Sequence, residues 1–193
     1  MTADKWAFAY DDKKHYLPSN GYILTSTEMP IKYLLALLNS KLMEFYFGFE
    51  GIMTAGGAFT LKHETISILP IKLKSGKLYS TFAVLVNYVL SCKGAKSSNY
   101  DVPFSYFEQI IDGMVFELYF EEELKEAGRD VLKYLTDLKP ITDDMSDEQK
   151  LEIIESEFNR LYDKDHPVRN NLFYMDSIPE IRIIKGLDKD ADK

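Results

Sequence analysis

The chain has 193 residues, 46% hydrophobic and 28% charged, with 13 Tyr and 12 Phe against a single Trp, which is ample for a hydrophobic core and excludes a disordered chain or a disulfide-stapled mini-protein. The lone Cys92 leaves no partner for an internal disulfide or a cysteine-rich zinc site and fits a reducing compartment; the first ten residues lack a signal peptide's apolar core, and no run reaches the ~18 apolar residues of a membrane span. A cytoplasmic chain without a membrane partner is expected. The net charge of −8 hides an asymmetry: residues 1–100 carry 11 Lys and no Arg against 7 acidic residues, whereas residues 101–193 carry 12 basic against 24 acidic ones. Such a division suggests one surface able to approach a polyanion and another that is solvated or faces a protein.

In chain order, Trp6, Phe8, Tyr10, Tyr16 and Tyr22-Ile23-Leu24 alternate with polar stretches and turn signals at Asp11–Lys14 and Pro18–Gly21, predicting two or three short strands over residues 5–25. From Pro30 the apolar spacing of Ile31, Leu34, Leu35, Leu38, Leu42, Phe45 and Tyr46 predicts an amphipathic helix with proline in its first turn. A mobile loop is expected through Gly56-Gly57-Ala58, then a short strand over Ile66–Ile71. Lys74-Ser75-Gly76 opens a second helix running to about Cys92. Three further helical patterns follow at residues 104–120, 121–138 and 146–162, two of them with capping-box signatures, Ser105 with Glu108 and Ser146 with Gln149. Ile181, Ile183 and Ile184 around Arg182 read as a strand. The expected fold class is α+β, a small mixed strand and helix recognition lobe over residues 1–92, a linker over 93–102, an acidic, mainly helical lobe over 103–187, and a frayed tail over 188–193.

Catalytic signatures are sparse. Neither a phosphate-binding glycine loop nor a dinucleotide fingerprint is present, and His15, His63 and His166 have no His or Cys neighbour at ligand spacing. Asp112 with Glu123-Leu124-Lys125 matches on paper the acid and Glu-x-Lys set by which metal-dependent nucleases hold magnesium, but acidic residues 121–123 also suit the start of a helix. No metal site is expected.

The stretch Tyr33–Phe47, with leucines leading into Asn39-Ser40-Lys41-Leu42 and then Phe45-Tyr46-Phe47, is followed by the break at Gly56-Gly57 and by Leu69-Pro70-Ile71. Together these resemble the TaqI-like C-terminal specificity domain, the target-recognition region of adenine-specific DNA methyltransferases and fused restriction-modification enzymes. Phe107–Phe120 is similar to the helix that often follows such domains. The methyltransferase signature Asn-Pro-Pro-Tyr and its glycine-rich cofactor loop are absent, so the resemblance implies a non-catalytic reader. It needs no cofactor of its own, with S-adenosylmethionine expected in the parent methyltransferase. The implied partners are double-stranded DNA and the methyltransferase, with or without nuclease, domains of the parent polypeptide.

Target recognition needs cations for phosphates and hydrogen-bonding side chains for base edges. Lys13, Lys14 and His15 in one turn, Thr54 and Thr60 in the glycine-rich segment, Lys62 and His63 after it, and Lys72 and Lys74 beyond the Leu69–Ile71 element are the candidate DNA contacts. Asn39 and Ser40 read as structural residues that hold neighbouring backbone, and Tyr46 and Phe47 as core. The alternative is an acidic helical interaction or scaffold domain without DNA contact, in which residues 101–193 dock a basic partner.

Overall fold

The structure is a computed structural model that describes residues 2–17, 21–95 and 97–188. The turn expected at Pro18–Gly21 and the tail 188–193 lie outside this range except for Gly21 and Asp188. The fold is mostly helical with one two-stranded antiparallel sheet, in keeping with the α+β expectation. It divides into two compact units, Met1–Leu73 and Lys74–Lys193.

In the first unit, β1 (Thr2–Ala3) pairs antiparallel with β2 (Phe59–Thr60), Thr2 opposite Thr60 and Ala3 opposite Phe59. The long helix expected after Pro30 is two: α1 (Ile31–Leu38) and α2 (Lys41–Glu50). The break follows from the side chains between them. Ser40 leaves helical geometry at φ −70° and ψ 152°, its hydroxyl accepts from the Met43 amide (3.3 Å), and it donates to the Leu37 carbonyl (2.7 Å), so a cap replaces a helix interior. Tyr33, Leu37, Met43 and Phe47 lose all solvent contact here and form the core.

The strands expected over 5–25 are absent from the described residues. The alternation is real, since Trp6, Phe8 and Tyr10 are half-buried between exposed neighbours, but the backbone of Phe8 bonds to a side chain, that of Asn39, instead of a neighbouring strand. The strand expected at 66–71 is also corrected. A short helix, α3 (His63–Ile66), precedes turns there, because Thr65 accepts from the Lys62 amide (2.9 Å) and donates to the Thr60 carbonyl (2.9 Å), closing the chain on itself.

The second unit is helical. Helix α4 (Lys77–Gly94) packs on α5 (Asp101–Tyr119), which also contacts α6 (Glu121–Ala127), α7 (Asp147–Leu161) and α8 (Pro167–Tyr174). Residues 93–102, expected to link two lobes, therefore join α4 to α5 inside this unit. Helix α5 starts earlier than expected, with Pro103 in its first turn, so Ser105 sits within the helix rather than at its cap. Ser146 and Gln149 do form the reciprocal capping box of α7. The pattern over 121–138 stops at Gly128, whose φ of 65° is left-handed, and the Arg129 amide closes onto the Leu124 carbonyl (2.8 Å). The expected C-terminal strand is helix α9 (Pro179–Ile184), started by its proline.

Buried polar groups hold the long connection between α6 and α7. Glu117 on α5 accepts from the amides of Val131 (2.6 Å) and Leu132 (2.8 Å). Asn171 donates to the Asp130 carbonyl (2.7 Å), and the Tyr88 hydroxyl donates to the Lys139 carbonyl. Burial pushes the Glu117 carboxyl above its ordinary range despite the two amides that favour its charged form.

Candidate nucleic-acid interface

Residues 52–60 form a tight hairpin. The Thr60 amide donates to the Ile52 carbonyl (2.8 Å), Met53 bridges Phe59, and the Thr54 amide donates to the Ala58 carbonyl (2.9 Å). The turn requires a left-handed residue, and Gly57 supplies it at φ 82°. Thr54 through Gly57 are exposed at the tip. The segment expected as a mobile loop is thus a hydrogen-bonded projection. The Thr54 hydroxyl oxygen accepts from the Ala58 amide (3.0 Å), which leaves its proton to donate outward. Thr60 closes the base of the hairpin, and exposed Lys62 and His63 follow it at the start of α3. Four of the candidate contacts therefore belong to one hairpin and helix element.

Lys13, Lys14 and His15 form a second group, exposed on a turn organised by Asp11. The Asp11 carboxylate accepts from the amides of Lys13 and His15 (both 2.9 Å) and lies 2.8 Å from His15 Nδ1. The bond to the His15 ring, and then those two amides, hold the Asp11 carboxyl below its ordinary value. Lys14 adopts a left-handed φ of 57°, which costs a non-glycine residue on the order of 1 kcal/mol.

The segment between these groups is fastened to the helices. Trp6 Nε1 donates to the Leu38 carbonyl (2.6 Å), and its ring centroid lies 4.9 Å from that of Phe47 and 5.3 Å from that of Phe59. Asn39 donates to the carbonyls of Phe8 (3.1 Å) and Leu35 (3.0 Å) and accepts from the Phe8 amide (2.9 Å). Lys32 Nζ lies 5.3 Å from the centre of the Tyr10 ring. Residues 6–10 thus lie along α1. Asn39 and Ser40 hold backbone, as the sequence suggested, but Trp6 gave no sequence signal for its part because its partners lie more than 30 residues away.

The remaining candidates separate. Exposed Lys72 lies one residue before the end of the first unit, its carbonyl accepting from the Tyr33 hydroxyl (2.7 Å). Lys74 falls in the second unit, its amide donating to the Tyr79 hydroxyl (3.1 Å). The division changes the charge reading too. The first unit has 7 Lys against 7 acidic residues, because Lys74, Lys77, Lys93 and Lys96 belong to the second. The lysine excess of residues 1–100 is not an excess of the first unit.

The second unit contains an open groove of about 810 Å³, lined among others by Tyr106, Tyr162, Arg169, Phe173 and Lys185. Its cations have protein partners: Arg169 lies over the Tyr162 ring and donates to the Tyr162 carbonyl (2.8 Å), and Lys185 pairs with Asp176 (2.5 Å). Asp112 and Glu123 lie on helices, and Lys125 pairs with Glu121 (2.6 Å). Among the described residues no group of three or more His, Cys, Asp or Glu is arranged to hold a metal ion. Nor is any described helix long and apolar enough to cross a membrane.

Compared with known families, residues 1–71 match the model of the TaqI-like C-terminal specificity domain. The match ends two residues before the unit does and excludes every helix from α4 onward. For these residues the match implies a DNA-recognition role in restriction-modification. No curated protein and no solved structure matches the chain.

Proposed function

We propose that this chain is the target-recognition part of a restriction-modification enzyme, holding duplex DNA for an adenine-N6 methyltransferase, with or without an endonuclease, elsewhere in the same polypeptide. The observation that carries the reading is the agreement between the family match and one folded unit that displays a hairpin tip with donors and cations beside it. Thr54 and Thr60 and the hairpin amides are the groups suited to base edges. Lys13, Lys14, His15, Lys62, His63, Lys72 and Lys74 are suited to phosphates. S-adenosylmethionine belongs, in this reading, to the methyltransferase, and this chain contributes position alone. The second unit faces the parent enzyme.

Because the first unit is electrically balanced, its grip depends on where a few lysines stand and not on net charge. Titration of duplex DNA with the 193-residue chain is expected to show weak binding that falls steeply between about 50 and 200 mM salt. Lys62→Glu lowers the affinity and reduces the magnitude of the log–log salt slope by about one. Binding indifferent to salt, or unchanged by charge reversal at Lys13, Lys14 and Lys62 together, contradicts the proposal and favours a scaffold that docks proteins through its acidic half.

A further inference from the structure

The N-terminal segment joins the two groups of candidate contacts. At one end β1 pairs with β2, which closes the hairpin, and the Trp6 ring lies against Phe59 of the same strand. At the other end Tyr10 leads directly into the Asp11 turn that displays Lys13 and Lys14. Between them Asn39 grips Phe8 through both its amide and its carbonyl, and Trp6 grips the last carbonyl of α1. Segment 6–10 makes no strand pairing, so these side-chain bonds are what fix its path over α1.

We infer that Asn39 and Trp6 are positioning residues for sequence recognition, setting the distance and angle between the base-reading hairpin and the phosphate-gripping turn. The inference rests on the DNA-reading proposal above. Phosphate contacts made by one flexible group survive a change of angle, because the duplex offers a phosphate at every step. Hydrogen bonds to base edges do not, because they demand one register. Loosening the brace therefore costs discrimination before it costs non-specific affinity. Neither residue needs to touch DNA for this effect.

The test is selection of bound sequences from a random duplex library by the intact chain, followed by affinity measurements on the enriched duplex and a scrambled one. Asn39→Ala removes the grip on Phe8, and Trp6→Phe removes only the indole donor while keeping a ring against Phe47 and Phe59. Both are expected to reduce the enriched-to-scrambled ratio by roughly tenfold, the size of one lost base contact, with scrambled-duplex affinity and its salt slope unchanged. Tyr106→Phe, which removes a buried hydroxyl's bond to the Leu161 carbonyl in the second unit, serves as a destabilised control and leaves the ratio unchanged. If Asn39→Ala and Trp6→Phe weaken both duplexes equally, in step with their melting temperatures, the brace is merely structural and the inference fails. A wild-type chain that binds duplex but enriches no sequence overturns the reading beneath it as well.

Discussion

A methyl group on Gly51 would press on the Phe47 ring and come within 2.5 Å of the Phe47 carbonyl oxygen. The ring cannot swing aside, because it is fully buried and lies beside Trp6 and Phe59. Gly51 is thus the point at which α2 turns into the hairpin without room for a side chain, and its φ of −83° shows that space, not backbone handedness, is what demands glycine. Gly51→Ala is expected to destabilise the first unit by roughly 1–3 kcal/mol. Thermal unfolding of the variant beside wild type checks this, and an unchanged transition would mean that the hairpin yields more easily than its contacts imply. Gly57 differs, since its added Cβ would meet nothing, but its left-handed φ makes a substitution strained.

At the scale of the element, the parts legible in sequence were those governed by local chemistry. Helices α4, α5 and α7 followed from apolar spacing, and the Ser146–Gln149 box from two residues three apart. Two errors arose where a nearby side chain offered the backbone a different partner, Ser40 dividing one helix into two and Thr65 closing a turn in place of a strand; a third arose where Pro179, with its fixed φ, started a helix although alternating isoleucines suggested extension. The glycine-rich segment read as a loop, and the backbone bonds that make it a hairpin gave no sequence signal. The brace from Trp6 and Asn39 was invisible because it joins residues 31 and 32 positions apart. Charge by halves misled similarly, since whether α4 packs on α5 or on what precedes it is a tertiary fact.

The connection held by Glu117 is the element where pH should act. Its carboxyl is raised by burial, so the folded chain binds this proton more tightly than the unfolded one does. This contribution to stability is fully present below the ordinary carboxyl value and is lost as pH rises through the raised one. Glu117→Gln retains an acceptor for the Val131 and Leu132 amides without the buried charge, and its unfolding free energy should lose that part of the pH dependence. Glu117→Ala strands two amides and should cost on the order of 3 kcal/mol. Denaturant titrations at several pH values separate the two. A pH dependence unchanged in Glu117→Gln would show that this carboxyl does not titrate with folding.

For the molecule as a whole, the proposed reading gives the two units different work. The family match, the hairpin and the Asp11 turn lie in residues 1–73, which carry no net charge. The second unit carries 16 basic against 24 acidic residues, a net negative charge that disfavours a polyanion. In the proposed reading, recognition by the first unit depends on accurate placement of few cations and not on net charge.

Hydrogen–deuterium exchange of the intact chain, alone and saturated with the duplex it enriches, tests this assignment most directly. Slower exchange at the amides of residues 53–63 and 11–15, with those of α7 unchanged, is the expected result. Protection confined to the second unit, or absent from the hairpin while DNA is bound, would contradict it.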